Sequence, residues 1–363
     1  MTTTQILLTP GPLTTRDETR RAMLRDWGSR DPAFIALTAE LRRRLLAIAG
    51  GGASHVAVPL QGSGTFIVEA AIATLVGPRD KLLVLVNGAY GDRMVTIARR
   101  MGRAVEQLRW SEDQPADPAE VAARLAADPA ITHVALVHCE TTTGILNPLA
   151  AIAAVVAAAG RAFILDAMSS FGALPIDLAA VPVTAVLASS NKCLEGVPGI
   201  GFALVEAAAL TAAAGNSPSL SFDLHGQWRG FEADGQWRFT PPVQVVAALV
   251  EALRLLEAEG GPVARLARYQ DNFATLWAGM RRLGFQLFLP EPLQAPIIAT
   301  FRLPPDLAFR PFYDALAERG FLIYPGKLTQ AETFRIGCIG ALDRTDFERL
   351  LAAITAVLVP AAA

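Results

Sequence analysis

The sequence predicts an α/β fold in which a mostly parallel sheet is covered by helices and followed by a smaller α+β region. Two observations lead there. Over roughly the first two thirds of the chain, short apolar runs of strand length alternate with stretches of helical periodicity, which implies strands buried on both faces. After about Pro241 the pattern changes to long helices mixed with a few isolated strands.

Taken in order, Leu7 to Pro12 reads as irregular backbone around Thr-Pro-Gly-Pro. Helical periodicity runs from about Asp17 to Ala49, broken near Gly28 to Pro32. His55 to Leu60 is a short strand ending in Gln61-Gly-Ser-Gly-Thr65, and a helix follows to Leu75. Lys81 to Val86 is a second strand, Tyr90 to Met101 a helix, and further strands lie near Val105 and over His133 to His138. An Ala-rich helix over Ala150 to Ala159 precedes the strand Ala162 to Leu165. The strands Ala185 to Ala188 and Gly201 to Val205 flank the segment containing Lys192. A long helix spans Val243 to Glu259, with Gly260-Gly261-Pro262 as its stop. Beyond it, Ile297 to Phe301 and Phe334 to Gly337 read as strands of a smaller domain.

With 363 residues the chain is too long for one small domain. Hydrophobic residues make up 52%, much of it from alanine runs such as Ala151 to Ala159 that suit tightly packed helices. No apolar stretch reaches the roughly 18 residues of a membrane span. The Met-Thr-Thr-Thr start lacks the basic and apolar regions of a secretory signal, so a cytoplasmic protein is expected. The net charge is −2 and the 32 basic residues are scattered, which gives no basic stripe for nucleic acid. Cys139, Cys193 and Cys338 show no disulfide framework spacing. His138 beside Cys139 has no metal-ligand spacing around it, and no metal is expected.

Lysine occurs at three positions only, Lys81, Lys192 and Lys327. Lys81 follows Pro-Arg-Asp at a strand start and reads as solvated, and Lys327 lies in a Pro-Gly-Lys turn that reads as surface, with a place near a site as the other reading. Lys192 follows an apolar strand, where partial desolvation lowers an amine's pKa and makes it a nucleophile and proton carrier.

Three other features stand at strand ends or within strands. Gly62-Ser63-Gly64-Thr65 between a strand and a helix offers free N–H groups and hydroxyls to an anion, and it also reads as a plain helix cap. Ile67 stands where a dinucleotide fingerprint needs a small residue, which tells against a nicotinamide dehydrogenase. Asp166 closes the apolar run Phe163-Ile164-Leu165, where a carboxylate needs a positive partner; capping the turn after it is the other reading. Arg335 interrupts the apolar strand Thr333 to Gly337, as an anion-gripping fork or as half of a structural salt bridge.

In that order these residues resemble the class V, fold-type I pyridoxal-phosphate aminotransferases over nearly the whole chain. The resemblance rests on Leu7-Leu-Thr-Pro-Gly-Pro12, Gln61-Gly-Ser-Gly-Thr65, the stretch His138 to Pro148 and Asp166-Ala-Met-Ser-Ser-Phe-Gly172. It rests equally on Ser189-Ser-Asn-Lys-Cys-Leu-Glu195, Gly235-Gln-Trp-Arg-Phe-Thr-Pro-Pro242 and Tyr324-Pro-Gly-Lys-Leu-Thr-Gln330. The stretches around Cys139 and over Gln236 to Thr240 are most similar to the family's phosphonate-using branch.

The resemblance implies a mostly parallel seven-stranded sheet flanked by helices, with a smaller C-terminal α+β domain. It divides the chain into an N-terminal segment, 1–15, a large cofactor-binding domain, 16–258, and a small domain, 259–363. It implies pyridoxal 5'-phosphate as cofactor, with Ser63, Gly64 and Thr65 at the phosphate, Tyr90 stacked on the ring and Thr141 near the ring hydroxyl. Asp166 would pair with the ring nitrogen, Ser190 would lie in the wall, and Lys192 would be the Schiff-base and proton-transfer residue. Thr240 would reach the phosphate of a neighbouring subunit, which implies a homodimer with shared sites. Arg335 and Gly11, in the Thr9 to Pro12 loop, would face the substrate. One departure is Val243-Gln244, where the family usually has Thr-His after the two prolines.

The implied reaction is transamination of 2-aminoethylphosphonate with pyruvate. The nearest alternative is an alanine– or serine–glyoxylate-type enzyme using the same cofactor residues. A cysteine desulfurase would need a mobile cysteine, and Cys338 reads instead as a small core residue. A non-catalytic binding module would not need both Asp166 and Lys192.

Overall fold

A computed structural model describes residues 5–52, 54–328 and 331–358. The ends of the expected outer segments, 1–4 and 359–363, lie outside the described residues, as do Thr329 and Gln330 of the motif beginning at Tyr324.

Seven strands build the principal sheet: β1 (His55–Gln61), β2 (Lys81–Val86), β3 (Ala104–Arg109), β4 (Ile131–Val137), β5 (Ala162–Asp166), β6 (Ala185–Ser189) and β7 (Ile200–Glu206). Their spatial order is β1-β7-β6-β5-β4-β2-β3. Strand β7 runs antiparallel to both neighbours, and the remaining pairs are parallel. Of the helices, α1 (Pro32–Ile48), α2 (Gly64–Leu75), α3 (Ala89–Arg100), α4 (Leu224–Asp234), α5 (Val243–Glu259) and α6 (Gly261–Arg282) matter most to the site.

The sheet is covered on both faces, which explains why its strands are apolar throughout. Leu82, Val84 and Val86 of β2 pack with Val68 and Ile72 of α2 and with Met94 of α3 on one face. Leu83 and Leu85, one residue out of step, join Leu41 of α1 and Leu249 and Leu253 of α5 on the other. Each such fully buried leucine contributes roughly 1.5–3 kcal/mol through lost apolar exposure.

A second core belongs to the C-terminal region. Strand β8 (Ile298–Arg302) pairs antiparallel with β10 (Thr333–Gly337), and β10 pairs with the two-residue β9 (Tyr324–Pro325). Phe301 faces Phe334 across β8 and β10 with ring centroids 5.5 Å apart, and Phe285 and Phe312 meet Phe334 edge-on. Leu276 and Met280 of α6 complete this core. The chain's start is tied to it. Leu7, the first residue of the segment expected as irregular backbone, instead forms with Ile6 a short strand parallel to Phe321–Leu322, and Leu8 is buried in the same cluster.

The expected stop at Gly260 is a one-residue break. Gly260 takes the left-handed conformation (φ 109°) that ends α5, and α6 starts at once with Pro262 in its first turn. Two helices without a clear periodic signal also appear, Pro118–Ala127 and α4. Their starts are written in single residues: Asp117 accepts from Ala119 N–H at 2.7 Å, and Asp223 from Gly226 N–H at 3.0 Å.

Candidate active site

Parallel strands deliver their following loops to one edge of the sheet, where ligands of α/β proteins bind. At that edge one cavity is lined by Ser63, Thr65, Tyr90, Thr141, Asp166 and Lys192, with Gly64 in its floor.

Ser63 occupies the position before α2, yet its side chain makes no capping hydrogen bond. The plain-cap reading therefore does not account for it, and its hydroxyl is left for a ligand beside the free N–H groups of the helix start. Thr65 Oγ1 accepts from Arg93 Nη1 at 3.0 Å.

Asp166 is the last residue of β5 and is buried. One carboxylate oxygen accepts the Met168 N–H at 2.9 Å, so the turn-capping reading is correct as far as it goes. Asp166 also lines the cavity. Burial pushes its pKa up to about 6, opposed by the Met168 N–H and by the charges of Arg93 and Lys192.

Lys192 follows β6 and is half-buried, with Nζ donating to the carbonyls of Pro10 (2.7 Å) and Gly11 (3.1 Å). Burial brings its pKa down to about 8, assisted by Arg335 and Lys327 and opposed by Cys193 and Asp166. Gly11 is held at φ +105°, and a β-carbon there would lie 2.4 Å from the Asn191 carbonyl oxygen and 2.6 Å from Lys192 Cδ. Only glycine lets the N-terminal segment close onto this lysine.

Arg335 in β10 is buried and donates from Nη1 to the Thr141 carbonyl at 2.8 Å and from Nε to the Pro325 carbonyl at 3.1 Å. It makes no ion pair with a carboxylate among the described residues, so the structural salt bridge is not realised. Among the described residues its remaining N–H groups have no partner, beside the loop that carries Thr141.

Ser190 and Thr240 stand outside this cavity. The Ser190 hydroxyl donates to the Val197 carbonyl at 2.5 Å, shaping the loop from behind, while Ser189 lines the cavity. Thr240 is exposed in a neighbouring groove with Gly62, Phe66 and Phe239. Val243, at the family departure, begins α5 and packs on the large core, and Gln244 Nε2 donates to Asp26 at 3.3 Å.

Two site residues were not singled out from sequence. Arg93 reaches the cavity mouth with its guanidinium 4.8 Å over the Tyr90 ring; the signal was there, since Tyr90 and Arg93 are three apart on one helix face. Glu140 is buried, accepts the Tyr90 N–H at 3.1 Å and the Thr142 hydroxyl at 2.8 Å, and so fixes the start of α3. Burial pushes its pKa up to about 7.

The other lysines separate. Lys81 pairs with Glu106 and Asp128, each at 2.5 Å, on the surface. Lys327, expected at the surface, is exposed but feels Arg335, Arg93 and Glu140, which places its charge at the site. His138 is occupied by Ser170 at 2.9 Å, and burial raises the thiols of Cys139, Cys193 and Cys338.

The model of the class V aminotransferases matches residues 34–325. The chain belongs to that family. Among class V aminotransferases it is 58% identical over 356 residues to a 2-aminoethylphosphonate–pyruvate transaminase of Pseudomonas fluorescens, covering 97% of this chain and 96% of that one. A transaminase of the same description from Pseudomonas putida is 56% identical over 99% of this chain and 98% of its own length. The solved structure of an alanine–glyoxylate aminotransferase of Nostoc sp. superposes with TM-score 0.93 at 26% identity, covering 99% of this chain and 96% of that one. The sheet order and the helices on both its faces are thus those of fold-type I aminotransferases.

Proposed function

We propose that this class V aminotransferase transfers the amino group of 2-aminoethylphosphonate to pyruvate, giving phosphonoacetaldehyde and L-alanine. Near-full-length similarity to transaminases of that description supports the donor. The observation that carries the chemistry is local: Lys192 and Asp166 line one cavity, and the Thr141 wall of that cavity holds Arg335.

The residues fit pyridoxal 5'-phosphate. The Ser63 hydroxyl is not spent on a cap, and the buried Ser189 hydroxyl on the cavity wall has no partner among the described residues. A β-carbon on Gly64 would meet the side chain of Met168, which also lines the cavity, with Sδ at 2.7 Å. Ser63, Gly64 and Thr65 would hold the phosphate, Tyr90 would face the ring, Thr141 would meet the ring hydroxyl, and Ser190 would support the wall from behind. When bound, the cofactor supplies an electron sink for the amine-bearing carbon.

The chain's own groups supply the rest. Asp166 holds a proton on the ring nitrogen. Lys192 Nζ, with its pKa lowered to about 8, would take the proton from the amine-bearing carbon of the donor and deliver it, within the same half-reaction, to the cofactor carbon that keeps the nitrogen; with pyruvate it would carry the proton the other way. Arg335 grips the phosphonate in the first half and the pyruvate carboxylate in the second. Lys327 adds a second positive charge toward the phosphonate, which carries more negative charge than a carboxylate.

A homodimer with shared sites is part of this reading. The exposed Phe66 and Phe239 flank Thr240 in the groove behind the Ser63 turn, as they would if a second copy covered them and received Thr240 at its own cofactor phosphate. Three unpaired cysteines agree with a cytoplasmic setting.

The test is a half-reaction. Adding 2-aminoethylphosphonate without pyruvate to the cofactor-loaded enzyme should discharge the near-visible absorbance, and pyruvate should restore it with release of L-alanine. Discharge by alanine or serine, but not by the phosphonate, would reassign the donor.

A further inference from the structure

Lys192 and Arg335 lie on different elements, yet a largely buried polar circuit, with Arg268 half-buried, joins them. Glu195 closes the turn that carries Lys192, with its N–H donating to the Lys192 carbonyl at 2.8 Å. It adopts φ 57°, the left-handed region that a side chain other than glycine occupies only when its surroundings impose it. The carboxylate is buried, and its Oε1 accepts from Arg268 Nη2 and from Tyr269 Oη, each at 2.7 Å, both on α6.

Arg268 continues the circuit. Its Nη1 donates to the carbonyls of Gly340 (2.6 Å) and Leu342 (2.8 Å), in the loop directly after β10. Asn272, one turn along α6, donates to Cys338 and Leu342 carbonyls at 3.2 Å. One turn earlier, the fully buried Arg265 donates from Nη1 to the Cys193 carbonyl at 2.7 Å, next to Lys192 itself. The same 337–341 loop holds the N-terminal segment, through Gly337 N–H to Leu8 (2.9 Å) and Ala341 N–H to Thr14 (2.8 Å). That segment supplies Pro10 and Gly11, whose carbonyls accept from Lys192. The path returns to its starting residue.

We propose that Glu195, Arg268 and Tyr269 are positioning residues that fix the Lys192 amine against the Arg335 guanidinium, so that a substrate gripped by its acid group presents its amine-bearing carbon to the lysine. The proposal rests on the transaminase reading above. Buried charges and a strained backbone are costly where apolar packing would serve for stability alone. Their use here is directional: the three side chains connect the lysine turn to the arginine strand and to the segment lying over the lysine. Alignment errors of about 1 Å cost roughly 100-fold in rate for reactions held by such clamps.

The experiment compares two donors on the cofactor-loaded enzyme in single turnovers. One is 2-aminoethylphosphonate, which Arg335 can grip; the other is n-propylamine, which has no acid group. Glu195→Gln keeps the side chain's shape, and Tyr269→Phe removes one hydroxyl while keeping the packing. Expected losses with the phosphonate are ~30-fold for Glu195→Gln and ~5-fold for Tyr269→Phe, with propylamine rates unchanged within about threefold. The cofactor dissociation constant, read from absorbance, should stay within about threefold of wild type. Equal losses with both donors, no loss with either, or loss of cofactor affinity in Tyr269→Phe would overturn the proposal. Failure of the wild-type enzyme to turn over the phosphonate would instead reject the donor assignment, and the comparison would then be run with the acid-bearing donor that is accepted.

Discussion

Arg335 donates from Nη1 to the backbone carbonyl of Thr141 at 2.8 Å, so the proposed anchor for the substrate's acid group is fastened to the wall of the cavity that holds Asp166 and Lys192. Arg335→Lys would lose the planar fork and the bond to the Pro325 carbonyl while keeping a positive charge. The expected result is a KM for 2-aminoethylphosphonate raised by ~10–100-fold with cofactor affinity unaltered, measured by steady-state kinetics and absorbance titration.

Lys327 should separate the two substrates. Lys327→Met removes the charge that lies toward Arg335 and leaves that residue's own hydrogen bonds intact. The KM for the phosphonate should rise by ~5–10-fold, and that for pyruvate by about twofold or less. Equal changes for both substrates would refute a charge-selective role.

For Lys192, reaction with free pyridoxal phosphate requires the neutral amine, which burial makes accessible near pH 8 rather than above 10. The rate of cofactor uptake by the cofactor-free chain should climb with pH and level off just above 8. A lowered amine pKa means that the unfolded chain binds more protons between about 8 and 10.5, so this group's contribution to stability rises with pH over that window. Lys192→Met should abolish both trends, as seen by rapid-mixing absorbance and by urea titrations across pH.

Asp166 has the opposite sign. Its pKa is raised from 3.8 to about 6, so the native state binds the extra proton and stability falls as pH rises between those values. Above pH 6 the cofactor-free Asp166→Asn variant should be more stable by about 3 kcal/mol, read from denaturation midpoints. The same variant should lose ~1000-fold or more in turnover, because the ring nitrogen no longer has a carboxylate partner.

Gly11→Ala places a β-carbon 2.4 Å from the Asn191 carbonyl at a φ of +105°. Stability should fall by roughly 1–3 kcal/mol. Turnover should fall further than global stability explains, since the displaced segment carries both carbonyl partners of Lys192. Paired melting and kinetic measurements would separate the two effects.

Much of the site could be read from the chain because its chemistry interrupts apolar strands. Asp166 ends an otherwise hydrophobic β5, Lys192 follows β6, and Arg335 lies inside β10, each expensive to desolvate without a purpose. The alternating core was equally legible, since two covered faces leave no polar stripe to confuse the strands. What stayed hidden depends on tertiary contact. No periodicity reveals that Ser189 rather than Ser190 faces the cavity, because that follows from how the loop folds back to place the Ser190 hydroxyl on Val197. Nothing local marks Glu195 as buried, because its partners Arg268 and Tyr269 come from α6, some seventy residues later. The turn sequence left open whether Lys327 lies at the surface or near a site, and it is exposed within the field of Arg335, which is not written locally.

The strand order also sets when during synthesis the site can exist. Strand β1, which ends in the Ser63 turn, borders only β7 within the sheet, and β7 is finished at Glu206. A nascent chain therefore emerges with its anion cradle unsupported for nearly 150 residues. The segment over Lys192 waits longer still, because Ile6–Leu7 finds its strand partner at Phe321–Leu322. Head and tail must both have left the ribosome before the carbonyls of Pro10 and Gly11 can close on the Lys192 amine.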